Sequence, residues 1–78
     1  MERKIDRVEV GIYGGSVQLR VYGTGFAHGY TVTDSVPVNV VRGDARIRDG
    51  ALRVLIAQGR KKATRLGVPF VEKKEDAR

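Results

Sequence analysis

The sequence predicts an α+β domain: an antiparallel sheet of three to four strands that opens on a β-hairpin, one long C-terminal α-helix packed on one sheet face, and a short edge strand after the helix. Three observations carry that prediction. Apolar and polar residues alternate at period two on both sides of Gly14-Gly15. The apolar period changes to 3.6 from Asp49 to Leu66, and Gly67-Val68-Pro69 closes the helical stretch.

Val8, Val10 and Ile12 alternate with Glu9, Gly11 and Tyr13, and Val17, Leu19 and Val21 alternate with Gln18, Arg20 and Tyr22. With Gly14-Gly15 as a two-residue loop, Ile12 faces Val17, Val10 faces Leu19 and Val8 faces Val21 on one side. On the other side Tyr13 faces Ser16, Glu9 faces Arg20 as a cross-strand ion pair, and Arg7 faces Tyr22. A one-residue slip would turn every side chain to the wrong face, so the pattern sets its own register.

The next stretch is less determined. Gly23-Thr24-Gly25 reads as a turn and Tyr30 to Thr33 as a strand. Val36, Val38 and Val40 alternate again, and Pro37, which has no N–H for a ladder, places that segment at an edge. Asp34-Ser35 fits either a tight turn between two strands or a bend within one, which leaves the strand count at three or four.

In the helix, Leu52, Leu55, Ile56, Ala63 and Leu66 fall within an arc of roughly 100°, with Gly59 in its middle. A mid-helix glycine costs about 1 kcal/mol, so its place on the apolar stripe points to a close approach between helix and sheet. Asp49 is the candidate N-cap, with Asp44 as an earlier alternative that takes Gly50 inside. The outer arc holds Arg53, Arg60, Lys61 and Arg65, with Lys62 at its boundary. Val68 to Glu72 has the composition of an edge strand. Residues 1–71 make the single domain, and residues 72–78, almost all charged, read as a flexible tail.

Fifteen Lys and Arg stand against nine Asp and Glu, a net charge of +6, and the excess is local. Residues 42–66 carry Arg42, Arg46, Arg48, Arg53, Arg60, Lys61, Lys62 and Arg65 against Asp44 and Asp49. Apart from Asp49, assigned to the cap, no Glu or Asp stands four residues from Arg53, Arg60, Lys61 or Arg65. An uncompensated cluster repels itself and suits an anionic partner.

Catalytic constellations are missing from the sequence. There is no cysteine, so neither disulfides nor thiolate metal sites staple the fold. His28 is the single histidine, a loop residue beside Gly29, so no triad or histidine metal cluster can be assembled. Gly23 to Gly29 has one residue too many for a dinucleotide fingerprint and leads into a strand, and Arg42-Gly43-Asp44 is a tripeptide that chance supplies. The expectation is a protein that is not an enzyme, with no metal, cofactor or small-molecule substrate. No window approaches the roughly 18 consecutive apolar residues of a membrane span, and the N-terminal residues lack the apolar core of a signal peptide. A cytoplasmic location is expected.

The order of three strands and a C-terminal helix resembles the arm-type DNA-binding domains of phage integrases. With the closing Gly67-Val68-Pro69 segment it is also similar to small antitoxins of the HicB type. Both likenesses concern element order, which does not carry function. From the residues themselves the expected function is nucleic-acid binding, DNA ahead of RNA. Arg53, Arg60, Lys61 and Arg65 would hold phosphates, and Arg20, Gln18, Tyr13 and Tyr22 on the open sheet face would meet bases. The bland competitor is a solvated helix face and a wet sheet face. A different class of reading is a protein-interaction module, a homodimer or an antitoxin-like accessory subunit. It is motivated by the thin core of so short a chain and an edge strand at Val36–Val41 or Val68–Glu72.

Overall fold

The hairpin forms in the register its alternation dictates. In the computed structural model, which describes residues 4–37 and 45–76, strand β1 (Ile5–Tyr13) pairs antiparallel with β2 (Ser16–Gly23). Ile12 lies opposite Val17, Val10 opposite Leu19 and Val8 opposite Val21, with Glu9 opposite Arg20 and Arg7 opposite Tyr22. Of the two loop glycines only Gly14 takes a positive φ, 61°, the pattern of a turn with glycine at its first central position.

The third strand settles the Asp34-Ser35 alternative. β3 (Tyr30–Pro37) is one continuous strand, antiparallel to β2, with Thr33 as an extra residue between Asp34 opposite Leu19 and Val32 opposite Arg20. The bend is a bulge and not a turn. Pro37 ends this strand, which lies at the sheet edge. Val38, Val40, Arg42 and the alternative cap Asp44 lie outside the described residues.

Helix α1 (Ala45–Leu66) takes the earlier of the two expected starts, with Gly50 inside it, so Asp49 is inside the helix and does not cap it. Its end follows the residues closely. Gly67 has φ 71°, its N–H donates to the Thr64 carbonyl, and the Val68 N–H donates to the Ala63 carbonyl, a Schellman closure. The chain then turns at Pro69 into β4 (Phe70–Asp76), which pairs with β1. Residues 72–76, expected in a flexible tail, therefore belong to a strand.

β4 runs parallel to β1, so the four-stranded sheet, in order β3-β2-β1-β4, is mixed and mostly antiparallel. Direction follows from parity. With α1 standing between β3 and β4 in the element order, an even number of connections separates the last strand from the first, and it runs the way the first does.

The helix packs on the valine face. Val8, Val10, Ile12, Val17, Leu19 and Val21 are buried against Leu55 and Ala63, with Leu52, Ile56, Val68 and Phe70 partly buried around them. Leu66, expected on the apolar stripe, is 44% exposed at the helix end. Gly59 makes the close approach possible. A Cβ there would stand 2.5 Å from the Phe70 ring and 3.0 Å from a Val10 methyl. α1 covers β1 and β2 and reaches β4, leaving β3 largely outside its footprint.

Candidate nucleic-acid interface

The apolar stripe of α1 fixes which residues face outward. Arg53, Lys61 and Arg65 are exposed, and among the described residues none has an ion-pair partner. Asp49, four residues before Arg53, lies instead beside Arg48 at 3.6 Å. Lys62 is half-buried at the edge of this surface. Arg60 departs from the expectation. Its guanidinium donates to Glu72 at 2.8 Å and lies over the Phe70 ring, 5.5 Å from the centroid. Its partner is supplied by β4, where helical spacing offers no hint of it. Arg46 joins the exposed cations because the helix starts early. It lies seven residues, two turns, before Arg53 and so shares its stripe. That spacing is readable in the sequence, but it acquires meaning only with the earlier of the two expected helix starts.

On the opposite side, alternation along β1, β2 and β3 brings Tyr13, Gln18, Arg20 and Tyr22 to one face, together with Arg7 and Tyr30. These side chains engage one another. The Arg20 guanidinium carbon lies 3.6 Å from the Tyr13 ring centroid and 4.3 Å from that of Tyr30, and its Nε donates to Gln18 at 2.8 Å. Arg7 lies 4.0 Å from the Tyr22 centroid, and the Tyr22 and Tyr30 rings are 5.2 Å apart. Tyr30 escaped the sequence reading because its place opposite Tyr22 depends on the register of β3.

The expected Glu9–Arg20 ion pair does not form, although the two residues are opposite each other. Glu9, 1% exposed, accepts from Arg7 at 2.7 Å and has the Lys73 ammonium 3.1 Å from its other oxygen. Lys73 comes from the parallel strand β4, and it leaves Arg20 free to stack on the rings. That second oxygen, Oε1, lacks an aligned hydrogen bond, as does the buried Tyr13 hydroxyl. Burial pushes the Tyr13 phenol well above its ordinary value near 10.0, and the neighbouring Tyr22 and Glu9 push the same way.

The two surfaces therefore differ in what they can offer. The cations of the sheet face are already committed to rings and a carboxylate, while Arg46, Arg53, Lys61 and Arg65 of the helix are not, among the described residues. Among the described residues, no three His, Asp or Glu side chains converge as metal ligands. Nor, among the described residues, is any helix long and apolar enough to cross a membrane. No protein-family model, curated protein or solved structure matches the chain.

Proposed function

We propose that this chain is a small non-enzymatic nucleic-acid-binding protein that contacts DNA phosphates through the outer side of α1. One observation carries the reading: Arg46, Arg53, Lys61 and Arg65 are exposed with no acidic partner among the described residues. Over 22 residues the helix is about 33 Å long, and these four cations span about 28 Å of it. A helix fits the major groove of B-DNA, whereas the A-form RNA groove is too deep and narrow to admit one. That contrast favours duplex DNA. Sheet residues Tyr13, Gln18, Arg20 and Tyr22 do not join this contact, since they lie on the opposite side of the sheet.

Each phosphate neutralised releases condensed counterion, so affinity falls with salt at a slope of about −0.9 per contact. Four contacts give a slope of about −3.6, or about 150-fold weaker binding from 50 to 200 mM salt. Fluorescence anisotropy with a mixed-sequence duplex measures this directly. Arg53→Ala, Lys61→Ala and Arg65→Ala should each flatten the slope by about 0.9, and Arg20→Ala should leave it unchanged. Undetectable or salt-independent binding sinks the reading.

A further inference from the structure

The helix leaves one corner of the sheet uncovered, and that corner is built like a receptor. Between the C-terminal half of α1 and the outer part of the sheet runs a cleft of about 270 Å³ lined by Val21, Phe26, Thr31, Thr33, Lys62, Arg65 and Leu66. Its floor is apolar, and the 44% exposure of Leu66 makes sense there. Its rim carries Lys62 and Arg65, neither of which has an ion-pair partner among the described residues. Beside it runs β3, whose outer edge pairs with no described strand.

The two edges of the sheet are not equivalent. β4 is blunted by the charged residues Glu72 and Lys73, while Tyr30, Thr31, Val32 and Thr33 at the start of β3 include no charge and no proline. Charges, prolines and bulges are what normally stop an edge from accepting a strand. The Thr33 bulge interrupts β3 partway, so the segment open to pairing is Tyr30–Val32. That is also the segment bordering the cleft.

We infer that this corner binds an extended acidic segment of another protein, which adds a strand along Tyr30–Val32 and directs alternate carboxylates toward Lys62 and Arg65. The main chain of such a segment would hydrogen-bond the free edge, and the methylene stems of its inward-facing acidic side chains would lie over the exposed Leu66. Charge complementarity selects the occupant. Two unpaired cations above an apolar floor favour an acidic peptide over a basic or neutral one. This inference does not rest on DNA binding, although Arg65 serves both surfaces, so the two partners would compete for it.

The test is an NMR titration of the isotopically labelled full chain with a blocked eight-residue peptide alternating Glu and Val. Amide shifts confined to Tyr30–Val32 and Lys62–Leu66 are expected. Lys62→Glu should weaken binding at least tenfold, as should N-methylation of alternate peptide amides. Should Lys62→Glu disturb the spectrum of the free protein, Arg65→Glu on the exposed rim replaces it. The inference falls if the amides of β3 do not move, or if a Lys-Val peptide binds equally well. It also falls if N-methylation has no effect, or if an oligothymidylate strand moves these resonances where the acidic peptide does not.

Discussion

The same strands build two different faces. Toward the helix, Val8, Val10, Val17 and Leu19 are fully buried by close packing, with a glycine admitted so that the helix can approach. Away from the helix, the intervening residues cover themselves: guanidiniums lie on tyrosine rings, and Glu9 is buried beneath two cations. The first face is held by non-directional apolar burial, which tolerates relaxation but not lost volume. The second depends on directional contacts, in which each partner matters because of what its removal leaves behind. Substitutions on each face should separate the two modes.

The largest effect belongs to the helix-side face. Leu19→Ala deletes a fully buried side chain at the centre of β2 and should cost about 2–5 kcal/mol. A domain of 78 residues has a total stability of roughly 4–12 kcal/mol, so urea denaturation should show a variant near the limit of folding. Gly59→Ala is the sharper case. Helix propensity alone predicts a gain of about 1 kcal/mol, whereas contact with Phe70 and Val10 predicts a loss. Net destabilisation is expected, and a stabilised variant would show that the helix does not sit this close.

The open face should respond asymmetrically. Arg7→Met takes the 2.7 Å hydrogen bond from a buried carboxylate and leaves it only the Lys73 ammonium, which should cost about 2–3 kcal/mol. Glu9→Gln leaves two cations that are each nearly half exposed and can turn to water, so about 1 kcal/mol is expected. Equal losses in the two variants, measured by denaturation at one pH, would refute this account of the face. Arg20→Lys comes next. It keeps the charge but loses the planar group between Tyr13 and Tyr30, at about 1 kcal/mol.

Those magnitudes track what the sequence made legible. The valine face and its register could be read because period-two alternation and a glycine loop constrain each other. The open face was read only as a set of residues. Its pairings depend on Lys73 and Tyr30, whose positions follow from the direction of β4 and from the register in which β3 returns after the Gly23–Gly29 loop. The direction of β4 traces to one local ambiguity. Whether Asp34-Ser35 turns or merely bends decides how many strands precede the helix, and that parity decides whether the last strand runs parallel to the first. The helix cations were legible by type, but the pairing of Arg60 was not, because its neutralising carboxylate lies twelve residues away on another element.

Alkaline pH separates the faces without mutation. The Tyr13 phenol is neutral when protonated, and its folded-state value lies above the unfolded one. Above pH 10 or so the unfolded chain releases this proton while the folded chain retains it, so the folded state binds more protons and stability falls as pH rises. Below that range the contribution is fully present. Tyr13→Phe should remove this part of the alkaline destabilisation, which a pH series of denaturation midpoints would show.

The smallest stability effect should come with a functional gain. Arg60 is 65% exposed and Glu72 25%, so Glu72→Gln should cost about 0.5 kcal/mol or less. The same substitution releases Arg60 from β4 and adds a fifth unpaired cation to the outer side of α1. If the helix holds phosphates, the salt slope of duplex binding should steepen by about 0.9. Arg60→Ala in the native background should leave the slope nearly unchanged, because this guanidinium is already neutralised. A loss of slope in Arg60→Ala as large as in Lys61→Ala would mean that DNA outcompetes Glu72, and the division between committed and free cations would not survive it.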